Sequence, residues 1–590
     1  MKKEYPLVIK LFLMGVIILD CFVFFHGIVK DNITWLYAIF IFPCLFNAWE
    51  ASEENDSSDL PMFIFLDLVL VSTFLIAVLS LLINNIFMFW CSLTAISFLY
   101  MMWNIVYLKQ TGLSEHLKRT TKMYNKIWVF SIVLNVLFLI LYKLYNIKFI
   151  EYYMIILFFP WVITMYIWYR DRVLNICKID FSIMNVKCYS FDTTQPDCYI
   201  KKIEFDKNGE ITKIIKKNNV ENSNIDYYML PGLIDSHMHI ADSPYQIITP
   251  DAFLKEDFNV TLERVKRNLT DAIDVGITSI KDFGSVEYKN IHLLKNIYNK
   301  LGTEYPRVFT SGCYICDQRK GHFMDKGGII IKNVTDAKRL ADYLEIQMKS
   351  FSGSRYVKFM LGLTSDENPA DKMQCFKDTF FEIASVFKER NFVVSVHAYR
   401  NEDAELCFRE SNGKIESCVD IIEHIGDYSQ ELLEKIKVTG VILTTTYLSS
   451  IDGINISNPQ QSVSEDTEEE ILVKWHEDVK RLLPNLILDD YTIALGSDSG
   501  LYGTPCNALV KEIDCVASLL GNDLSEEEKT RKALELSYIN SAKALSMQNK
   551  IGKIKVSYNC DFVLYDRDPL KDRSVLENPV AVYIGGKRVK

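Results

Sequence analysis

One run restricts the possible folds of this chain more than any other: Leu230-Pro231-Gly232-Leu233-Ile234-Asp235-Ser236-His237-Met238-His239. Apolar residues lead into two histidines spaced by one. On an extended strand that spacing turns both imidazoles to the same side, roughly 7 Å apart at the backbone. Two such rings can converge on one metal ion at roughly 2.1 Å each. A pair ending an apolar strand is what a barrel-type active site requires, because the chemistry of such barrels sits at the carboxyl ends of the strands.

Four more residues extend the pattern. They are Lys358 in Tyr356-Val357-Lys358-Phe359-Met360, His397 in Val393-Val394-Ser395-Val396-His397, His424 in Ile421-Ile422-Glu423-His424 and Asp498 in Ala494-Leu495-Gly496-Ser497-Asp498. Each lies in or at the end of a short, β-rich apolar run. A buried ammonium is costly, and burial drives a lysine toward its neutral amine. A neutral amine reacts with carbon dioxide to give a carbamate, an anionic group with two oxygens that can bridge two cations. Taken alone, Lys358 reads as a side chain snorkelling from a strand end. In company with four histidines and an aspartate, the ligand reading is preferred.

Apolar runs of strand length predict eight barrel strands, at 233–237, 277–282, 307–310, 356–360, 392–397, 420–424, 441–445 and 492–495. Helical periodicity fills most of the gaps, for example 337–349 and 371–388. The ligand candidates then fall on strands one, four, five, six and eight, all at the carboxyl ends.

The set Pro-Gly-Leu-Ile-Asp-x-His-x-His, a strand lysine, two later strand-end histidines and a Gly-Ser-Asp resembles the metal-dependent amidohydrolase superfamily. More narrowly, it is similar to the imidazolonepropionase-related branch that contains Xaa-Pro dipeptidases. Gly276-Ile277-Thr278-Ser279-Ile280-Lys281-Asp282-Phe283-Gly284 and Asn540-Ser541-Ala542-Lys543-Ala544-Leu545 support it, as does Cys560-Asp561-Phe562-Val563-Leu564. The likeness runs from about residue 180 to the C-terminus. It implies an α/β fold: a (β/α)8 TIM barrel over 231–547 and a small split β-sandwich from 180–230 and 548–590.

The resemblance also implies two divalent metal ions, with zinc expected. His237 and His239 would hold one, His397 and His424 the other, and a carbon dioxide-derived carbamate on Lys358 both. Asp498 would ligate the first metal and carry a proton from a bridging hydroxide to the leaving amine. His322, in Lys320-Gly321-His322, matches a loop position that donates to the tetrahedral oxyanion. Tyr399 would contact the substrate carbonyl or carboxylate. Asp498, His322 and Tyr399 are thus the catalytic candidates.

At 590 residues the chain should hold more than one domain, and its composition is uneven. Six apolar segments, near 7–29, 33–49, 60–83, 86–108, 127–145 and 150–169, approach the roughly 20 residues a membrane-crossing helix needs. They predict an all-α transmembrane domain of about six helices over 1–175. Lys109, Lys118, Arg119, Lys122 and Lys126 in one loop, with Lys2, Lys3, Lys10, Arg170 and Arg172, place both ends in the cytoplasm by the positive-inside rule. The expectation is a multi-pass protein of the cell membrane with the lipid bilayer as partner. Asp20 and Asp67 read as structural hydrogen-bonding groups within spans.

A net charge of −10 without a long basic block argues against nucleic acid. The 14 cysteines are scattered, which suggests reduced thiols. Cys313-Tyr314-Ile315-Cys316 has no second pair to answer it and is not read as a metal or redox site. His26, His116, His292 and His476 read as structural.

These readings converge on a membrane-anchored, cytoplasm-facing amidohydrolase that cleaves an amide or peptide bond of a small substrate, a dipeptide or N-acyl amino acid. The alternatives are a deaminase or cyclic-amide hydrolase of the same superfamily, or a non-enzymatic membrane sensor or transporter with a ligand-binding barrel. Departures from the family pattern at Leu361-Gly362-Leu363-Thr364, Ile425, 313–320 and 451–484 are read as loops that shape the substrate pocket. They leave substrate identity open, and the sequence is silent on oligomeric state.

Overall fold

The computed structural model describes residues 177–590, apart from 193, 218–224, 247, 249–251, 253–254, 285–303, 313, 317–327, 349–355, 362–375, 377–378, 450–464 and 502. The first five strands are β1 (Cys177–Asp180), β2 (Val186–Cys188), β3 (Cys198–Phe205), β4 (Ile211–Lys216) and β5 (Tyr227–Pro231). They share one sheet with β18 (Phe562–Tyr565), β19 (Ala581–Ile584) and β20 (Lys587–Arg588), in the order β1-β3-β2-β5-β18-β19-β20 with β4 on β3. The turn Asp206-Lys207-Asn208-Gly209 behaves as its residues dictate. Gly209 takes a left-handed φ of 79°, and Asp206 Oδ1 accepts from the backbone N–H groups of Asn208 and Glu210.

The two distant segments meet where β5 and β18 pair antiparallel, Leu230 opposite Val563 and Pro231 opposite Phe562. One residue later the chain leaves this sheet for the barrel. Gly232 makes that passage possible: its N–H donates to the Asp561 carbonyl at 3.1 Å, and a Cβ there would lie 2.1 Å from Thr278 Oγ1.

All eight expected barrel strands are present. They begin with β6 (Leu233–Met238), β7 (Ile277–Asp282) and β8 (Arg307–Thr310), and continue through β11 (Tyr356–Met360), β12 (Val393–His397), β15 (Ile421–Glu423), β16 (Ile442–Thr445) and β17 (Ile493–Leu495). Every neighbouring pair is parallel. The third strand is broken. Its first half, β8, pairs with β7, while a continuation, β9 (Tyr314–Cys316), pairs with β11 and with the short β10 (Ile329–Ile330). The circle closes between the first and last strands, where His239 N–H donates to Ser499 O at 2.7 Å and Asp498 N–H to His237 O at 2.8 Å. A small antiparallel hairpin, β13 (Phe408–Ser411) with β14 (Lys414–Ser417), lies between β12 and β15.

Helices cover the barrel through their apolar stripes. In the helix Phe258–Asp274, begun by an Asp257 cap, the buried residues include Leu262, Val265, Leu269 and Ile273, three or four apart. The amino end of the barrel is plugged by the π-helical segment Leu536–Asn540 and the helix Ser541–Ala544. Ala542, Ala544 and Leu545 cluster there with Ile234, Phe309, Tyr356 and Ile421. Ser537 Oγ accepts from Ile234 N–H at 3.2 Å and Ser541 Oγ from Leu495 N–H at 3.0 Å. The segment that resembles the family therefore has a structural reason: small residues and two hydroxyls satisfy strand ends that would otherwise open to water.

Two expectations are corrected. Among the described residues no helix is long and apolar enough to cross a membrane. The six expected spans, with Asp20 and Asp67, fall in 1–176, outside the described residues. The fold that stands is the barrel with its split sheet; the transmembrane domain and the cell-membrane localisation are withdrawn. The second correction concerns 451–484, read as loop. Its latter part belongs to a helix, Glu465–Leu488, which continues through Pro484.

The Gly232 passage is testable. Gly232→Ala forces its methyl against Thr278, and a loss of about 1–3 kcal/mol is expected. Urea unfolding measures it; an unchanged midpoint would show that the two strands move apart freely.

Candidate active site

The deepest layer of the site is an ion pair at the barrel's centre. Glu423, wholly buried on β15, lies 3.2 Å from Lys281 Nζ and 3.0 Å from His237 Nδ1. Lys281 also donates to Ser395 Oγ at 2.7 Å. Burial works against the Glu423 carboxylate, but Lys281, Lys358 and the His237 bond hold it well below the usual range. A carboxylate only accepts, so His237 carries its proton on Nδ1. Burial, reinforced by the charge of Lys358, pushes His237 down to about 4, which keeps it neutral. Its Nε2 lone pair therefore points toward the barrel mouth.

His239 and His424 are held in the same way. His239 Nδ1 lies 2.8 Å from the Gly284 carbonyl, and His424 Nδ1 lies 2.7 Å from Thr446 Oγ1. Both His237 Nε2 and His239 Nε2 lie 3.3 Å from one oxygen, Asp498 Oδ1. Burial opposes the imidazolium of His239, but the bond to Asp498 and the charges of Asp498 and Asp242 raise it to about 9. Ligand atoms of His237, His424 and Asp498 all lie within 4.8 Å of one another.

This donor set fits a divalent cation. A neutral imidazole nitrogen facing an ionised carboxylate oxygen at 3.3 Å sets lone pair against lone pair, and a cation between them removes the conflict. The carboxylate, carbonyl and hydroxyl that engage these Nδ1 atoms are usual outer partners of metal-binding imidazoles.

Two of these residues reach the mouth by unusual backbone. His424 has φ 71° and Asp498 φ 56°, in the left-handed region that residues other than glycine seldom enter. Each is followed two residues later by a glycine packed against an earlier ligand segment. A Cβ on Gly426 would lie 1.5 Å from the Tyr399 carbonyl oxygen, and one on Gly500 2.0 Å from that of His239.

Among the expected ligands the structure gathers His237, His424 and Asp498 most tightly, one histidine from each pair implied by resemblance. His239 joins through Asp498, and His397 through His424, their ring centroids 4.5 Å apart. Lys358 is buried, has no hydrogen-bond partner at Nζ among the described residues and stands 4.0 Å over the Phe283 ring. Burial lowers it to about 8, against the pull of Glu423 and Asp498. Tyr399 is half-buried, its ring 5.6 Å from His397 and 6.0 Å from Trp475. His322 and Cys313 lie outside the described residues.

Sequence reasoning gave no role to Glu423, Lys281, Asp235 or Trp475. Asp235 accepts from Ser497 Oγ and from the backbone N–H groups of His237 and Ser497, and burial raises it to about 7. Trp475, on the helix Glu465–Leu488, donates from Nε1 to the Ile425 carbonyl at 2.7 Å and sets its ring edge-on to His424. The one available signal was a glutamate and a lysine inside apolar strands, each a costly placement without a partner.

A match to the amidohydrolase family model covers residues 228–589, and the chain belongs to that family. Its fold is shared with solved structures of low identity. One is a Xaa-Pro dipeptidase with methionine bound in the active site (TM-score 0.54, 19% identity, 70% of this chain and 99% of that one). Another is a prolidase complexed with N-methylphosphonate-L-proline (0.54, 18%, 70% and 99%). A third is A. niger ochratoxinase (0.52, 18%, 70% and 95%). No curated protein matches by sequence.

The central pair sets a double-mutant test. Glu423→Gln strands the Lys281 ammonium in the core, with an expected loss of about 3–5 kcal/mol. Combining Glu423→Leu with Lys281→Met should recover much of that loss in chemical denaturation. Strictly additive losses would mean that the two groups do not act as a pair.

Proposed function

We propose that this amidohydrolase hydrolyses the amide or peptide bond of a small substrate, a dipeptide or N-acyl amino acid, at a two-metal site. The observation that carries the reading is the neutral His237 Nε2 held 3.3 Å from the Asp498 carboxylate, an arrangement that calls for a cation. His237, His239, His397, His424 and Asp498 are its protein ligands, with zinc as the expected metal. When bound, such ions supply Lewis acidity toward the carbonyl and lower the pKa of water.

Lys358 is the group suited to carbamate formation. Its lowered pKa leaves part of it as free amine near neutral pH, and its Nζ makes no competing hydrogen bond among the described residues. Lys281, equally buried, is committed to Ser395 and Glu423, and the Glu423 charge opposes the downward pull of burial on it. A carbamate on Lys358 favours two metals over the mononuclear deaminase alternative.

Asp498 moves the proton. Burial opposes its ionisation, but His237, His239 and His424 hold it well below the usual carboxylate range. It accepts the proton of the attacking water and returns it to the leaving nitrogen. Tyr399, at the His397 side of the mouth, contacts the substrate's carbonyl or carboxylate, and His322 donates to the oxyanion.

The test is turnover of Xaa-Pro dipeptides and N-acyl amino acids by zinc-loaded full-length protein, with metal analysis alongside. Asp498→Asn should lower kcat by about 10²–10⁴-fold while KM changes little. Chelation should abolish turnover, and zinc should restore it. Full turnover after chelation would sink the reading; one ion per chain would remove its two-metal part.

A further inference from the structure

Two thiols in the small sheet take no part in the site. Cys188 ends β2 and Cys198 begins β3, and the two are direct partners in the antiparallel ladder. Directly opposed side chains share a face, with Cβ atoms about 4.5–5.5 Å apart. A disulfide needs about 3.5–4.5 Å between Cβ atoms and about 4.4–6.8 Å between Cα atoms. The ladder therefore holds the two thiols near bridging distance, while Cys188 Sγ lies 3.9 Å from the Tyr189 carbonyl.

Their surroundings differ in a useful way. Cys188 is buried in the sheet's apolar core with Phe181, Val186 and Ile203. Cys198 is half-buried, and both line a small cavity that also carries Lys216, Lys553 and Lys555. The neighbouring Cys188 thiol, aided by the charge of Lys216, lowers the Cys198 thiol to about 7 despite its burial. Cys198 beside it and its own burial push Cys188 up, and its Sγ donates to the Tyr189 carbonyl at 3.9 Å.

A second pair in the same protein provides the contrast. Cys418 donates from its backbone N–H to the Cys407 carbonyl at 3.0 Å, and its Sγ lies 3.5 Å from the same oxygen. Both side chains are fully buried, and burial pushes both thiols up, Cys418 to about 12. The backbones meet there, while access and thiolate are missing.

We propose that Cys188 and Cys198 form a reversible dithiol–disulfide pair that reduces hydroperoxides, with Cys198 attacking and Cys188 resolving. The Cys198 sulfur forms a bond to one peroxide oxygen as the O–O bond breaks, giving a sulfenic acid and releasing water or an alcohol. The Cys188 sulfur then displaces the sulfenic oxygen, the S–S bond forms, and the oxygen leaves as water with the Cys188 proton. Two electrons pass from two thiols to one peroxide, so the balance closes with no further reactant. A cross-strand disulfide is strained and readily reduced by small thiols, which makes the change reversible.

The test uses full-length protein treated with hydrogen peroxide, then alkylated and mapped by mass spectrometry. A linked Cys188–Cys198 peptide pair should form, on the order of tenfold faster than oxidation of an ordinary exposed thiol. Dithiothreitol should reverse it, and Cys407 and Cys418 should stay alkylatable. In Cys198→Ser, Cys188 should remain a free thiol. In Cys188→Ser, dimedone should trap a sulfenic acid on Cys198. The proposal is overturned if both thiols survive peroxide, or if Cys407 and Cys418 oxidise as fast. Neither result bears on hydrolysis.

Discussion

A carboxylate in the middle of a barrel is tolerable only if something neutralises it, and Lys281 does that for Glu423. The rest of the site follows from this pair. Glu423 is ionised, so it can only accept; His237 must therefore turn its protonated Nδ1 inward and its bare Nε2 outward. Ser395, on the neighbouring strand, takes a second bond from Lys281 and ties the pair to β12, the strand that ends in His397. One buried ion pair thus ties together strands that carry His237 and His397. Its cost in desolvation is high, which is why removing either partner alone is worse than removing both.

Above that layer, precision comes from loops pressed against one another. His424 and Asp498 both turn through left-handed backbone at the end of a strand, and the glycine two residues on abuts the backbone of an earlier ligand segment. Gly426 meets Tyr399, and Gly500 meets His239. A side chain at either glycine would pry apart two segments that must converge. The left-handed turns are held because the surrounding contacts leave the chain no other route, as backbone outliers at functional sites generally require.

Most of the architecture was legible in the sequence because it is written in local patterns. Apolar runs ending in His237, His397 and His424 marked strands, and all eight fell within a residue or so of their place. The broken third strand was not legible, since 307–310 and 314–316 are separately ordinary and only their partners reveal the switch from β7 to β11. Glu423 was not legible as a site residue. Strand alternation places neighbours on opposite faces, so a ligand at His424 argues that Glu423 points away; the positive φ of His424 breaks that rule. Trp475 was hidden because a stretch containing Pro484 read as loop, yet tertiary packing carries the helix through it. The apolar first third showed a strong hydropathy signal, and hydropathy alone did not establish a fold there.

The pairing of β5 with β18 joins residues more than three hundred positions apart. During synthesis the first five strands therefore emerge long before the strand that covers their edge. Until translation reaches Phe562, Leu230 and its neighbours present unsatisfied backbone groups to whatever the nascent chain meets. Completion of the sheet is thus among the last events of folding, and a ribosome stalled inside the barrel leaves a sticky, half-built platform.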